Sequence, residues 1–186
     1  MQAPDQEAFV SLPISTIELL CDAIQNAETG ATFMDPIDHA RMGWLGAGLL
    51  TINLNTTPPG MDADTLELRR IWSSDASAYP VGGRKRKAMT TWARTLFLRR
   101  EVFKAEGEAA MKDTFDDYAT MAALGLRCAL NVPIVREQTC VGVFNFLSPL
   151  PRWTPPQIAA TRLLAMLAKP WILQEAAREK LRWSEA

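Results

Sequence analysis

Two neighbouring apolar runs constrain the fold of this chain more than any other feature. Residues 124–135 and 140–147 are of strand length, rich in Val, Leu and Phe, and separated by a short polar break at Arg136–Thr139. Such runs are typical of strands buried on both faces, and the short break favours an antiparallel hairpin. We therefore predict that this hairpin lies at the centre of the fold.

Helical periodicity marks both ends of the chain. Apolar side chains recur at helical spacing in two sets: Ile17, Leu20, Cys21 and Ile24, and Leu163, Leu164, Leu167 and Trp171. We predict a first helix at residues 14–28, ended by Gly30, and a last helix with Thr154 as its N-cap. Pro170 should kink or end this helix near Lys169, because proline lacks the backbone N–H that a helix interior uses.

The middle of the chain predicts further strands and short helices. The expected strands are residues 45–54, 65–74 and 101–106. The expected helical segments are residues 90–99 and 107–123, with a connector or short helix at 31–43. Residues 73–87 contain turn-forming residues and end in the basic run Arg84–Lys87, so we expect a solvated loop there.

The central hairpin has a predictable register. A two- or four-residue loop around Glu137 and Gln138 places Val135 opposite Cys140, and alternation then assigns every side chain to a face. One predicted face is mostly aliphatic and suits packing under helices: Cys128, Leu130, Val132, Ile134, Val141, Val143, Asn145 and Leu147. The other mixes small, aromatic and hydrogen-bonding groups, as ligand-binding surfaces do: Arg127, Ala129, Asn131, Pro133, Cys140, Gly142, Phe144 and Phe146.

Three motifs on and after this hairpin resemble those of a known family. Asn131-Val-Pro-Ile, Val141-Gly-Val-Phe-Asn-Phe and Trp153-Thr-Pro-Pro-Gln resemble a GAF domain, and residues 46–168 follow that family's order of elements. Tyr79-Pro-Val-Gly-Gly is similar to a stretch of some stand-alone bacterial GAF proteins. The resemblance implies an α+β sandwich with a GAF-like fold: a central antiparallel sheet of five to six strands, terminal helices on one face, and loops and short helices covering the other.

The resemblance also implies how the chain is divided. A tail at residues 1–13 precedes a single GAF-like domain at 14–181. Within the domain we expect the N-terminal helix at 14–28, the core sheet and its cover at 46–150, and the C-terminal helix at 154–181. The chain has 186 residues, of which 48% are hydrophobic, so a domain of this size can bury a substantial core.

In the family it resembles, a ligand lies between one sheet face and the cover, which here is about residues 73–125. We therefore predict a non-catalytic domain that senses a signal by binding a small molecule, with the ligand and any cofactor unidentified. The candidate ligand-binding residues are Trp72, Tyr79, Trp92, Phe103, Arg127, Asn131 and Phe144. Arg127 would pair with an anionic or strongly polar ligand group, Asn131 would orient the ligand, and the aromatic side chains would form walls.

A second interpretation fits the same residues without a ligand. The aromatic side chains would fill an ordinary core, Asn131 would bond only to backbone, and Arg127 would be solvated. In that case the terminal helices would form a homodimeric bundle around a vestigial pocket, and the domain would be an interaction module.

An enzymatic function is the third alternative. The free-methionine-R-sulfoxide reductases resemble a stand-alone GAF domain with three cysteines, the number found here as Cys21, Cys128 and Cys140. In that family the key cysteines lie in the cover, where this chain has Thr120-Met-Ala-Ala-Leu124. A redox enzyme needs an accessible thiolate with a resolving partner, and the predicted register puts Cys128 and Cys140 on opposite sides of the sheet. We therefore favour the non-catalytic function.

Composition narrows the remaining function classes. A net charge of −1 and the lack of a helix-turn-helix pattern argue against direct nucleic-acid binding. Apolar runs fall far short of the roughly 20 residues that a membrane span needs, so we predict a cytoplasmic protein with no membrane segment. His39 is the only histidine, and with Asp35 and Asp38 it gives too weak a pattern for a metal site.

Overall fold

The computed structural model describes the backbone of residues 13–184 and the side chains of residues 13–180. The expected tail at residues 1–13 therefore lies outside the described residues, except for its last position. The helices are α1 (Ile14–Gln25), α2 (Gly30–Leu45), α3 (Thr91–Ala93), α4 (Gly107–Thr114), α5 (Tyr118–Ala123) and α6 (Pro155–Ser184), and α3 continues into a π-helical segment at Arg94–Arg99.

A single antiparallel sheet of six strands forms the centre of the molecule. In chain order the strands are β1 (Leu49–Asn55), β2 (Thr65–Ser73), β3 (Arg84–Ala88), β4 (Phe103–Glu106), β5 (Cys128–Arg136) and β6 (Thr139–Ser148). Their order across the sheet is β3-β2-β1-β6-β5-β4. The predicted hairpin is confirmed as β5 and β6, which lie in the inner part of the sheet and are almost entirely buried.

The two faces of the sheet carry different layers. The long helices α1, α2 and α6 pack on one face, which we call the helix face, and bury the main hydrophobic core there. Helices α3 to α5, the π-helical segment and the loop before β3 lie against the other face, which we call the cover face, over two smaller apolar clusters. This α+β sandwich confirms the predicted fold class.

Helix α2 is longer than the connector or short helix that the sequence predicted. Thr29 caps its start: the backbone N–H of Thr32 donates to Thr29 Oγ1, and the backbone N–H of Thr29 donates to Thr32 Oγ1. Met34 and Ile37 are fully buried against the core. Gly30 is thus the first residue of α2, and α1 ends earlier, at Gln25, than the predicted residue 28.

Helix α6 runs through Pro170, so the prediction of a kink or end near Lys169 was wrong about the end. Pro170 is exposed, whereas Ala168, Trp171 and Ile172 on either side of it are buried in the main core. Proline in a helix interior costs about 3 kcal/mol. Burying Trp171 and Ile172 contributes about 1.5–3 kcal/mol each, so packing on the sheet offsets that cost.

Strand β3 occupies the segment predicted to be a loop. Its sequence Arg84-Lys-Arg-Lys-Ala has no apolar alternation, yet it pairs with β2 along Arg69↔Arg84 to Thr65↔Ala88 at the sheet edge. Charged residues are common on edge strands because they block pairing with other chains. Here the charged side chains also form ion pairs on both faces of the sheet. Arg84 pairs with Glu179 on the helix face, and Lys85 pairs with Asp117 on the cover face.

Two β-bulges change which face a side chain occupies. The hairpin turn at Glu137-Gln138 sets Val135 opposite Cys140, as predicted, but Ile134 then pairs with Gly142, leaving Val141 as an extra residue in β6. A bulge inverts the alternation beyond it. The predicted faces of β6 were therefore wrong beyond this point. Phe144 and Phe146 belong to the helix-face core, and the side chains on the cover face are Val143, Asn145 and Leu147.

Candidate functional site

A cavity of about 70 Å³ lies between the cover face and the cover. Its floor is formed by inner strands, with Thr51, Asn131 and Asn145 at the centre. Its walls come from the loop before β3, from α3 and from the loop between α4 and α5. The volume corresponds to roughly five water-sized spheres, so the cavity suits a molecule of few atoms.

The floor of the cavity is a chain of buried side-chain hydrogen bonds. Trp92 Nε1 donates to Asn131 Oδ1 at 3.0 Å, and Asn131 Nδ2 donates to Asn145 Oδ1 at 2.7 Å. Asn145 Nδ2 in turn lies 3.3 Å from both the carbonyl and the hydroxyl oxygen of Thr51. Asn131 is 1% exposed. Because buried polar groups are costly unless paired, this network fixes the positions of all four side chains.

One wall of the cavity pairs a buried guanidinium with a buried phenol. Arg70 on β2 lies over the Tyr79 ring, with its Cζ atom 4.9 Å from the ring centroid, and Arg70 Nη1 donates to the Pro80 carbonyl at 3.1 Å. Among the described residues, neither Arg70 Nε nor the Tyr79 hydroxyl has a well-formed hydrogen bond. Burial lowers the pKa of Arg70, against the opposing effect of the Asp117 carboxylate. Burial, with Asp117 again nearby, raises the pKa of Tyr79.

Two ion pairs join β3 to the loop that closes the cavity. Lys85 Nζ lies 2.8 Å from Asp117 Oδ2, and Lys87 Nζ pairs with Asp116. The Lys87 ammonium lowers the pKa of Asp116 through this hydrogen bond. Lys85, Lys87 and Asp117 all line the cavity. The basic run and the acidic pair thus join the sheet edge to the cover along one side of the cavity.

The structure brings together three of the seven predicted site residues. Tyr79, Trp92 and Asn131 all line the cavity. Phe103 on β4 lies on the same face and pairs with Asn131 on β5. Its side chain packs against the two apolar clusters beside the cavity. Asn131 bonds to side chains, not only to backbone as the ligand-free interpretation expected.

The structure places the other three predicted residues elsewhere. Phe144 is fully buried in the helix-face core. Trp72 also packs on the helix face, because a bulge at Ile52/Asn53 in the β1–β2 pairing shifts the alternation there. Arg127 is exposed and lies at a separate surface depression with Gly107 and Pro151. The predictions for Phe144, Trp72 and Arg127 as cavity residues were therefore wrong.

Several cavity residues escaped the sequence analysis. Arg70 follows Leu66 and Leu68 at period two on β2, and this alternation was the one signal that it faces inward. Lys85 and Lys87 were interpreted as solvated charges, and no site role was predicted for Asp117. An opposite-charge match between Arg84–Lys87 and Asp116-Asp117 could have suggested their pairing. Asn145 was missed because the bulge in β6 has no signal in the sequence.

The cysteines do not form a redox pair. Cys128 lies in the helix-face core and Cys140 in a cover-face cluster, so the prediction that they face opposite sides of the sheet is confirmed. Burial raises the pKa of each thiol to about 12. Cys21 is exposed on α1. A reactive, low-pKa thiolate with a resolving partner is therefore not available from Cys128 and Cys140.

Comparison with solved structures decides the fold family. The GAF domain of a phosphoenolpyruvate-protein phosphotransferase from Acinetobacter matches with a TM-score of 0.61 at 14% identity, over 88% of this chain and 94% of that one. The corresponding domain from Coxiella burnetii gives 0.60 at 12% identity, over 90% and 96%. The phycocyanobilin-bound GAF domain of a cyanobacterial phytochrome gives 0.58 at 16% identity, over 88% and 96%. The chain has a GAF-like fold.

This result rests on three-dimensional similarity. No protein-family model matches the sequence, and no curated protein matches it significantly. The cavity of this chain lies between the cover face of the sheet and the cover, and the identity of a ligand there stays a prediction. Among the helices that the structure describes, none is long and apolar enough to cross a membrane.

Proposed function

We propose that this chain is a non-catalytic, signal-sensing GAF domain that binds a small molecule in the cavity over Asn131. The observation that carries the proposal is the buried polar floor joining Trp92, Asn131, Asn145 and Thr51. A cover that only completed a core would be expected to meet the sheet through apolar side chains, because a buried polar network is costly unless fully satisfied. A few directional polar groups within apolar walls are typical of ligand sites.

The similar structures support this proposal in general terms. One of them carries phycocyanobilin, and others belong to a chemotaxis protein and to a putative sensor histidine kinase. The cavity here is far smaller than a bilin site would require, so we propose a ligand of few atoms. Signal output would follow from movement of the cover when the ligand binds.

A thermal-shift screen against small metabolites, cyclic nucleotides and free methionine sulfoxide tests the proposal. A ligand at about 100 times its dissociation constant stabilises the native state by about 2.7 kcal/mol, which raises Tm by roughly 5–10 °C for a domain of this size. The shift should shrink in Asn131→Leu and persist in the control Arg127→Leu, whose side chain is exposed at a separate surface depression. A stabilising compound that is unaffected by Asn131→Leu would place binding elsewhere.

We also propose that two copies associate through their terminal helices. Leu163 and Met166 lie three residues apart on α6 and are 42% and 45% exposed, and Leu19 on α1 is 70% exposed. Apolar side chains in this arrangement suit an isologous helical interface. Light scattering of the wild type and of a Leu163→Glu/Met166→Glu protein tests this proposal. A wild-type monomer at micromolar concentration would contradict it. The proposed location is the cytoplasm.

A further inference from the structure

The charges around the cavity are unequal, and this inequality indicates the chemistry of its ligand. Among the described residues, three cationic side chains line the cavity, from Arg70, Lys85 and Lys87, whereas Asp117 is the one acidic residue that does so. Lys85 pairs with Asp117, and Lys87 pairs with Asp116 at the rim. Arg70 is the cation whose only side-chain hydrogen bond in the described part of the chain goes to a neutral carbonyl, that of Pro80.

Arg70 is also the most buried of the three cations. It is 9% exposed, whereas the Lys85 side chain is 43% exposed. A buried charge whose only hydrogen bond goes to a neutral group is unfavourable, and a carboxylate bonded directly to it relieves that cost. The guanidinium presents a planar fork of donors, which matches a carboxylate in two parallel hydrogen bonds.

The remaining lining groups fit a short organic acid. The Tyr79 hydroxyl is buried without a well-formed hydrogen bond and lies beside the Asp117 carboxylate, so it is placed to donate to a carboxylate oxygen. Leu68, Met121 and Leu147 supply apolar wall for a short carbon chain. Asn131 and Asn145 at the floor offer amide groups to a hydroxyl or oxo substituent. The volume of about 70 Å³ limits the ligand to a few non-hydrogen atoms.

We infer that the ligand is a small monocarboxylate of roughly four to seven non-hydrogen atoms, held through its carboxylate by Arg70 and competing there with Asp117. This inference rests on the proposed function, since it names the ligand class of the same cavity. Asp117 is the resident carboxylate near Arg70 and Tyr79, as its effect on the pKa of both residues indicates. A ligand carboxylate therefore weakens the interaction of Asp117 with Arg70 and Tyr79. It also loosens the ion pair between Lys85 and Asp117.

The test compares acids with their uncharged amides. Propionate, butyrate and lactate are titrated into the full chain by calorimetry and thermal shift, each against propionamide, butyramide or lactamide, with inorganic phosphate as a second anion. We expect at least one acid to bind, with its amide at least tenfold weaker. Arg70→Met should weaken the acid at least tenfold, and Arg127→Met should leave its affinity unchanged. Asp117→Asn should tighten binding of the acid severalfold, because the competing carboxylate is removed.

The outcomes separate this inference from the proposed function. Circular dichroism first tests whether the Arg70→Met protein folds. If this variant does not fold, the comparison of acid with amide and the titration of the Asp117→Asn protein test the inference instead. Three results would overturn the inference and leave the sensor function standing. They are equal binding of acid and amide, a response to phosphate alone, and stabilisation only by compounds without a carboxylate. If neither these acids nor any compound of the wider screen binds, both fail.

Discussion

Asn131 and Asn145 lie directly opposite each other on β5 and β6, and the side-chain amide of the first donates to that of the second at 2.7 Å. The pair sits at the centre of the sheet with Trp92 bonded to it from the cover. It is the point where the sheet is hydrogen-bonded to α3 of the cover. A ligand that contacts this pair is therefore sensed by both layers.

Replacing Asn131 should destabilise the protein, because it breaks the hydrogen-bond network of Trp92, Asn131 and Asn145. Asn131→Leu leaves Trp92 Nε1 and Asn145 Oδ1 without their partners, and each unpaired buried group costs about 1–3 kcal/mol. We expect the free energy of unfolding to fall by about 2–5 kcal/mol in urea titrations. The double variant Asn131→Leu/Asn145→Leu should lose less than the sum of the single losses, because the two amides share one interaction. Strict additivity would contradict the network.

The bulge in β6 depends on the glycine that pairs with Ile134. A Cβ atom on Gly142 would lie 2.8 Å from the Asn53 carbonyl oxygen and 3.3 Å from Ile172. Gly142→Ala should therefore destabilise the fold by roughly 1–3 kcal/mol. Gly43→Ala is the matched control, since nothing lies within 4 Å of its added Cβ and it sits inside α2. That control should stabilise by up to about 1 kcal/mol, because alanine is the better helix former.

Phe144 should matter for stability and not for ligand binding. Its side chain is fully buried in the helix-face core. Phe144→Leu should lower the free energy of unfolding by about 1–1.5 kcal/mol. The dissociation constant of any compound found in the screen should stay within twofold of the wild type. A large loss of affinity in this variant, without one in Trp92→Phe, would contradict the assignment of faces.

The ion pairs at the cavity should control local opening more than global stability. Lys85 is 43% and Asp116 is 83% exposed, so solvent screens both pairs and their loss should cost less than about 1 kcal/mol in global stability. In Asp116→Asn/Asp117→Asn, hydrogen exchange should accelerate at β3 and at the loop before α5. Exchange in α2 and α6 is the internal control. Unchanged exchange at β3 would mean that these pairs do not hold the cover.

The three thiols should differ in reactivity. Cys21 is exposed, and Cys128 and Cys140 are buried with pKa values raised to about 12. At pH 8, a disulfide reagent should titrate one thiol in the native protein and three in denaturant. Because the folded pKa values are raised, these thiols favour the native state below the unfolded pKa of about 8.5, and this contribution is lost as pH rises towards 12. If Cys140 reacted rapidly in the native protein, this result would support the redox-enzyme alternative.

Much of the fold was predictable because it follows from apolar periodicity. The hairpin of β5 and β6 has long apolar runs with a short polar break, and its turn register follows from loop length. The terminal helices have apolar stripes, although Leu163 proves to be exposed. Strand β3 has no such pattern. It joins the sheet because it pairs with β2 and because its side chains form ion pairs with α6 and with the cover. These contacts are distant in sequence, so no local pattern predicts them.

The candidate site was predictable only in part, and two bulges explain the errors at Phe144, Trp72 and Asn145. Tyr79, Trp92 and Asn131 do line the cavity, and the predicted face of Asn131 was correct because the extra residue lies in β6 and leaves the alternation along β5 intact. Phe144 and Trp72 were misplaced by the extra residues in β6 and β2. Asn145 was missed because of the same bulge in β6, whereas Arg70 follows the alternation of Leu66 and Leu68 on β2 and was overlooked. Bulges depend on tertiary packing, so alternation alone cannot locate them.

The central claim is that a small molecule binds over Asn131 on the cover face, and the indole signals of tryptophan test it most directly. In ¹H–¹⁵N spectra, assigned with Trp92→Phe and Trp72→Phe, a compound that raises Tm should shift the Trp92 indole resonance. The Trp72 indole, on the helix face, should stay in place. A stabilising compound that moves Trp72 and leaves Trp92 unchanged would contradict the account.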